Sequence, residues 1–326
     1  MQESVIIGIY ILKILERYAN SKNRLFQKDI IYYLDVNYNV AVGRTALSKY
    51  IGLLRENGFI AGDRGVYMPP LFDDSELRVL IDGVIFGQHI PEKDATRLID
   101  KLKCMSYKSM SKRAKHICYL EGINHTPNAE LYKIIDKIDD AIESKSQIEF
   151  TYCNYNIDGK LQKGEKRVVH PYYMVSERSR YYLLCYADRG NDLEPRRMDR
   201  MSDIRVLKTK SMPITNIAKY HNGFDLGKYM REHIYMFSGE SSYITIRIKA
   251  NRIGDFIDWY GKEYRVVKKE EDYVTIKVKV NENATYYWAL QYGGIAEVIE
   301  PISLRNRIRD GLADMLKKYN ITEKKN

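Results

Sequence analysis

The run Arg180–Tyr186 limits the possible folds of this chain more than any other stretch. It is apolar, aromatic and rich in residues that favour β-structure, so it predicts a strand. Because side chains alternate along a strand, one face should carry Tyr181, Leu183 and Cys185, and the other Tyr182, Leu184 and Tyr186. Residues 189–192 have the composition of a turn. They predict a hairpin into a second short strand that carries Arg197 and Arg200.

The residue types around this hairpin suit a planar, anionic ligand. Arginine forms bidentate hydrogen bonds with phosphate, and tyrosine rings stack on nucleobases. His170 is a third candidate contact. The alternative is that Arg197 and Arg200 are solvated or paired with carboxylates, and Asp199 lies between them as an available partner. Residue types alone leave both interpretations open.

Further β-prone segments recur at regular spacing around this run. A helix with a stripe of leucine and isoleucine comes first, near residues 131–142. Strands are then predicted over residues 147–153, 160–170, 172–176, 180–188 and 195–201. One helix and five short strands in about 80 residues predict a small closed β-barrel of the SH3 or Sm type.

The first 70 residues have the layout of a winged helix-turn-helix. Apolar residues recur at helical spacing in three segments, and Gly62-Asp63-Arg64-Gly65 predicts a tight turn between two short strands. In such domains the third helix enters the major groove of DNA. The predicted DNA contacts are Arg44, Thr45, Ser48 and Lys49 on that helix and Arg64 on the wing, with Arg55 as a further phosphate contact. The alternative is a helical protein-interaction module with an ordinary polar face.

The C-terminal region predicts the order strand, helix, strand, strand, helix, strand, which is a ferredoxin-like split unit, and then a last helix. The whole chain is therefore predicted to be a multidomain α+β protein. Its predicted parts are a winged helix-turn-helix at 1–70, a helical connector at 71–126, the barrel at 127–210, a linker at 211–238 and the C-terminal domain at 239–326.

Composition favours a nucleic-acid partner. The net charge is +10, which suits a polyanion. None of the four cysteines has the spacing of a zinc site, and scattered thiols fit a reducing cytoplasm. No apolar stretch approaches the length of a membrane span. No phosphate-binding loop, zinc-protease motif or nucleophile elbow is present. We therefore predict no catalytic residue, no metal ligand, no cofactor and no enzymatic activity.

The middle region resembles a WYL domain. Tyr181-Tyr182-Leu183 corresponds to the Trp-Tyr-Leu triplet of that family, with tyrosine in place of tryptophan. Its closing pattern, an aromatic residue and then Arg-x-x-Arg, corresponds to Arg197 and Arg200 preceded by Arg196. His170-Pro171 also fits the family. The resemblance implies effector binding by Arg197 and Arg200, with His170, Tyr152 and Tyr182 as further contacts.

Such proteins commonly join an N-terminal helix-turn-helix to the WYL domain and a C-terminal WCX extension. The resemblance implies a bacterial or phage homodimer that binds an operator in double-stranded DNA and senses a nucleotide or oligonucleotide effector. It also implies a link to phage defence. Our first hypothesis is an effector-responsive repressor. The alternative is an accessory protein that binds RNA or single-stranded DNA directly through the WYL domain.

Overall fold

The computed structural model describes residues 2–20, 22–105, 124–188 and 190–319. Residues 106–123 of the predicted connector and residue 189 of the predicted turn lie outside this description. The described chain has helices at its N-terminus and two antiparallel sheets, so its class is α+β. The described residues fall into two compact units, one within residues 1–86 and 92–123 and the other within residues 87–91 and 124–326. No described helix is both long and apolar enough to cross a membrane.

The first unit begins with three helices, α1 (Gln2–Tyr18), α2 (Gln27–Tyr38) and α3 (Arg44–Glu56). Their apolar stripes meet in one core that includes Ile11, Ile14, Leu15, Ile30, Leu34 and Leu47. Helix α2 has 12 residues. It ends where Asn39 adopts a left-handed conformation with φ of 55°. Asparagine tolerates that conformation better than most side chains.

The wing is shorter than the predicted pair of strands. It is joined by two isolated bridges, Ala61 with Tyr67 and Leu25 with Val66. The turn needs glycine, because Gly62 has φ of +101° and an added Cβ would lie 2.3 Å from the carbonyl oxygen of Gly65. The first unit also contains α4 (Asp74–Ile85) and α5 (Glu92–Cys104).

The second unit begins with α6 (Leu131–Glu143) and a five-stranded sheet. Its strands are β1 (Ser146–Tyr155), β2 (Leu161–Glu177), β3 (Arg180–Tyr186), β4 (Glu194–Arg197) and β5 (Met201–Lys210). The order across the sheet is β4-β3-β2-β1-β5, and all neighbours are antiparallel. The predicted alternation on β3 is confirmed: Leu183 and Cys185 face a core with α6, and Leu184 faces a second apolar cluster.

Two strand predictions in this sheet are wrong. Strand β2 runs through Pro171 as one element, and a register shift beside that residue absorbs the irregularity. The predicted strand over 195–201 ends at Arg197, and Met198–Arg200 forms a turn of 3-10 helix before β5. Met198 and Asp199 are buried in that turn. The need to bury these two side chains therefore favours a turn at a position where local propensity predicts a strand. Arg200 therefore does not lie on a strand.

The C-terminal part follows a linker that contains α7 (Leu226–Glu232). Its elements are β6 (Ser241–Lys249), α8 (Ile253–Tyr260), β7 (Arg265–Lys269), β8 (Tyr273–Asn281), α9 (Glu282–Tyr292), β9 (Ala296–Glu300) and α10 (Ile302–Tyr319). The four strands form an antiparallel sheet in the order β7-β8-β6-β9. Phe256 and Trp288 bring the two helices onto its buried face. The order of elements along the chain is the predicted one.

Candidate functional sites

The exposed face of α3 carries four of the five predicted DNA contacts. Leu47 and Ile51 are buried and fix the inner face of the helix. Arg44, Thr45, Ser48 and Lys49 are consequently exposed on the outer face. One of them is already engaged, because Gln27 Nε2 donates a hydrogen bond to Ser48 Oγ at 3.0 Å. The face presents hydrogen-bonding and basic groups within the first two turns of the helix.

The N-terminus of α3 is suited to an anion. Its first residue follows Gly43, which provides no side-chain cap, and no acidic residue lies in the first turn. The first backbone N–H groups and the positive end of the helix dipole therefore have no anionic side chain in that turn. DNA phosphates bind favourably at such positions.

The two predicted arginines of the wing region have different surroundings. Arg64 is exposed in the turn. Arg55 Nη2 instead donates a hydrogen bond of 2.8 Å to the carbonyl oxygen of Gly62. Arg55 thus ties the wing to the end of α3. Its phosphate contact stays a prediction.

Arg197 forms a bidentate ion pair with Asp199. Its Nε and Nη2 donate to the two carboxylate oxygens at 3.0 and 2.6 Å. Asp199 is fully buried, and the Arg197 side chain is 20% exposed. Burial by itself would lower the pKa of Arg197, but its hydrogen bonds with Asp199 outweigh this and raise the pKa. Arg197 is therefore paired with a carboxylate, as the alternative interpretation of the sequence held. The edge of its guanidinium formed by Nε and Nη2 is occupied by Asp199.

Arg200 has a different environment. Its guanidinium carbon lies 5.4 Å from the centre of the Tyr155 ring. Its Nε is buried and has no hydrogen-bond partner within the described part of the chain. A buried donor without a partner is costly, so a ligand oxygen at this position would be favoured.

Arg196 repeats this arrangement, and sequence reasoning treated it only as a departure from the family pattern. Its guanidinium carbon lies 5.5 Å from the centre of the Tyr152 ring, and Nη2 contacts Glu194. Its buried Nε also has no partner among the described residues. The signal that could have revealed it is a third arginine directly beside Arg197.

Arg180 and Tyr182 alternate onto the face of the sheet that carries Arg197, and we define the arginine cluster as Arg180, Arg197 and Arg200. Tyr182 pairs with Arg197 across β3 and β4, and burial raises its pKa. Burial and the charge of Arg197 both lower the pKa of Arg180. Within the described residues, the one ion pair of this cluster is that of Arg197 with Asp199. It therefore carries more positive than negative charge.

The structure does not bring His170 to this cluster. His170 pairs with Tyr186 across β2 and β3. Tyr186 lies four residues from Tyr182 along β3, so these two tyrosines are about 13 Å apart. His170 Nδ1 accepts a hydrogen bond of 2.8 Å from the backbone N–H of Met212. Nε2 then carries the proton and donates to Asp188 at 2.6 Å. The ring is only 4% exposed, and these contacts join the sheet to the linker.

No described group of three His, Cys, Asp or Glu side chains could hold a metal ion.

Burial raises the pKa of the Cys185 thiol to about 12, so this sulfur remains protonated and unreactive.

Two family models match the second unit. Residues 133–206 match the model described as the WYL domain, and residues 242–316 match the WCX domain. The chain contains a WYL domain followed by a WCX domain. The arginine cluster lies in the WYL domain, on β3, β4 and the turn that follows β4.

The chain is also similar to three known proteins. The chain is 23% identical over 190 residues to "Uncharacterized HTH-type transcriptional regulator YobV" of Bacillus subtilis (strain 168), a match that covers 56% of this chain and 55% of that protein. A solved structure of "Proteasome accessory factor B/C (PafBC) of Arthrobacter aurescens" matches 97% of this chain and 48% of its own length, at 15% identity and a TM-score of 0.30. The "Crystal structure of a CRISPR Cas-related protein" matches 96% of this chain and 92% of its own length, at 14% identity and a TM-score of 0.38. The chain thus spans about half the length of YobV and of PafBC.

Proposed function

We propose that this chain is a DNA-binding transcriptional regulator whose WYL domain senses an anionic, nucleotide-like effector. The observation that carries the proposal is the exposed polar and basic face of α3 beside a wing that displays Arg64. The name of YobV as an HTH-type transcriptional regulator supports it. We assign the protein the role of a repressor and assign it no catalytic step.

We also infer the finer architecture from strand order. The order β4-β3-β2-β1-β5, with a 3-10 turn before β5, fits an SH3-like barrel. The order β7-β8-β6-β9 with two crossing helices fits a ferredoxin-like domain. The parts proposed from the sequence, with limits at 70, 126, 210 and 238, are kept as the working division of the chain.

DNA binding would begin at α3. The proposed contacts with base edges and nearby phosphates in the major groove are made by Arg44, Thr45, Ser48 and Lys49. Arg64 would contact phosphate from the wing, held in place through the bond between Arg55 and Gly62. The positive net charge adds a non-specific attraction to the duplex.

The effector would bind at the arginine cluster. The buried Nε–H group of Arg200 has no partner among the described residues and suits a phosphate oxygen. Arg197 would contribute through the edge that Asp199 leaves free, and Tyr152 and Tyr182 would contact a base or sugar. His170 is assigned a structural role here, because its ring is occupied by Asp188 and Met212.

Regulation requires two states that the effector distinguishes. We propose a homodimer whose two winged helices contact two half-sites of an operator. An effector with different affinities for two dimer geometries would change the spacing of the winged helices, and so the affinity for DNA.

DNA binding by the full-length protein tests the proposal. The substitutions Arg44→Ala and Lys49→Ala together should abolish binding to the duplex upstream of the protein's own gene, measured by fluorescence anisotropy. The matched control removes two exposed lysines from α6, Lys133→Ala and Lys137→Ala, and should bind as the wild type does. Equal loss in both double variants would indicate a general charge effect and would contradict the role of α3.

One observation favours the alternative function. Two guanidinium–tyrosine pairs, Arg196 with Tyr152 and Arg200 with Tyr155, resemble the platforms on which single-stranded nucleic acids stack. An accessory protein could then bind RNA or single-stranded DNA directly. Substituting Arg197 and Arg200 by Ala distinguishes the two functions. A regulator keeps duplex binding and loses the effector response, whereas an accessory protein ignores duplex DNA and loses binding to single strands.

A further inference from the structure

The loop Gly87–Pro91 belongs to the second unit, although the residues on either side of it belong to the first. Helix α4 ends at Ile85 and α5 begins at Glu92. The described chain passes from the first unit to the second after residue 86 and returns after residue 91, so both passages lie at the ends of this loop. A displacement of the loop would therefore move the C-terminus of α4 and the N-terminus of α5.

The backbone of the loop is held by the segment that leads into the WYL domain. The backbone N–H of Thr126 donates to the carbonyl oxygen of Gln88 at 2.8 Å. His125 Nδ1 donates to the carbonyl oxygen of Ile90, also at 2.8 Å. Gly87 and Pro91 are buried. The loop is thus docked by specific contacts at both ends.

His89 connects the loop to the turn that carries Arg180. Its Nδ1 lies 3.3 Å from the carbonyl oxygen of Ser179. Its ring stacks on Tyr181, with 5.2 Å between the ring centres and an angle of 15° between the planes. Ser179 and Tyr181 are the immediate neighbours of Arg180, so His89 contacts both sides of a residue of the arginine cluster.

A second route starts at Asp199, which holds Arg197. Asn128 Nδ2 donates to the backbone carbonyl of Asp199 at 3.0 Å and to that of Met201 at 2.8 Å. The backbone N–H of Asn128 donates to Thr126 Oγ1 at 3.3 Å. Because Thr126 also binds Gln88, hydrogen bonds and short backbone steps lead from Arg197 to the loop.

We propose that the loop Gly87–Pro91 relays the state of the arginine cluster to helices α4 and α5 of the winged-helix unit. This inference rests on the proposed function, since it names how the effector site would regulate DNA binding. An anion at the cluster competes with Asp199 for Arg197 and also binds Arg180 and Arg200. The turn Met198–Arg200 and the turn before β3 then shift, and the contacts of Asn128 and His89 with them shift as well.

Native-state hydrogen exchange of the full chain, read by mass spectrometry, tests the relay without any ligand. Asp199→Asn keeps the size of the side chain but removes the charge that holds Arg197. It should speed amide exchange in Gly87–Pro91 and at the start of α5 about tenfold. The matched control is Glu194→Gln, which removes the carboxylate beside Arg196. No hydrogen bond of Glu194 within the described structure leads to the loop, so exchange there should not change.

A second variant covers the case in which Asp199→Asn weakens the whole unit. His89→Ala removes the stack and the contact with Ser179 from a half-buried loop, and it should speed exchange at the same amides several-fold. The control is His221→Ala, which removes another histidine that is hydrogen-bonded to a backbone carbonyl. It should leave amide exchange in the loop unchanged. Unchanged exchange in His89→Ala, or equal changes in Asp199→Asn and Glu194→Gln, would overturn the relay. A different result would contradict the proposed function, namely that the wild-type protein does not bind duplex DNA.

Discussion

At the scale of single residues, the two arginines that the family pattern singles out have different tasks. Arg197 is committed to a fully buried carboxylate, so much of its binding capacity serves the fold. Arg200 rests against Tyr155 and keeps a buried N–H without a partner in the described chain. Ligand affinity should therefore depend on Arg200, whereas stability should depend on the pair of Arg197 with Asp199.

Substitutions in the cluster should separate these tasks. Arg200→Ala should weaken binding of oligo-dT about tenfold and change the free energy of unfolding by less than about 1 kcal/mol. Asp199→Ala should destabilise the protein by about 3 kcal/mol, because it leaves a mostly buried guanidinium unpaired. Urea unfolding and fluorescence anisotropy measure the two effects. Arg205→Ala, an exposed arginine on β5, is the control and should alter neither. Strong destabilisation by Arg200→Ala would contradict the division.

Stability should also fall in mild acid. Burial lowers the pKa of both His89 and His233 from the ordinary value of 6.5. The unfolded chain therefore binds more protons than the folded chain below about pH 6.5, and stability decreases as the pH falls through that window. Each group contributes at most about 1.4 kcal/mol per pH unit.

Urea unfolding at about pH 7.5 and about pH 5.5 measures this loss. The variant His233→Gln should lose less stability between the two conditions than the wild type does. His221→Gln, a substitution at an exposed imidazole, should behave as the wild type. If His233→Gln kept the full pH dependence, the buried imidazole of His233 would not be its source.

At the scale of elements, the wing depends on one backbone conformation. Gly62 adopts a positive φ, and an added methyl group would meet the carbonyl oxygen of Gly65 rather than a movable side chain. The same residue accepts the hydrogen bond from Arg55 that joins the wing to α3. The position of Arg64 relative to α3 is therefore set by the turn itself.

Two glycine substitutions in the first unit should have opposite signs. Gly62→Ala should destabilise the unit by about 1–3 kcal/mol, because the backbone conformation and the close carbonyl both oppose a side chain. Gly83→Ala lies inside α4, where an added Cβ has open space, and should stabilise it by about 0.5–1 kcal/mol. Thermal unfolding monitored by circular dichroism gives both values. A stabilising Gly62→Ala would show that the wing is more adaptable than its turn implies.

The predicted elements succeeded where the pattern was local and periodic. The alternation in β3 was predicted correctly, because each face packs against its own apolar cluster. The 3-10 turn Met198–Arg200 was missed, because it depends on burying Asp199 under Arg197 and on the bond from Asn128, 71 residues away along the chain. Local propensity contains no information about such a partner.

At the scale of the whole molecule, DNA binding should be strongly electrostatic. The logarithm of the affinity should fall linearly with the logarithm of the salt concentration. Arg64→Ala should reduce the slope by about 0.9, the value for one phosphate contact. Arg309→Ala on the exposed part of α10 removes the same charge and should leave the slope unchanged. Equal slopes for all three proteins would mean that the wing makes no phosphate contact.

The operator hypothesis also requires two-fold symmetry. Sedimentation at micromolar concentration should show a dimer, because two winged helices are needed for two half-sites. A monomer at that concentration would contradict the operator hypothesis and would favour the accessory protein that binds single strands.

The sequence by itself determined the order of the elements in the C-terminal domain, the exposed face of α3 and the resemblance to the WYL and WCX domains. These properties depend on periodic burial and on motifs of adjacent residues, which are local in the chain. Only the tertiary structure decided that Arg197 is held by Asp199, that Arg196 lies near Tyr152 and that His170 lies apart from the arginine cluster. Those outcomes depend on strand register and on which polar groups are buried together, and both arise from contacts between distant parts of the chain.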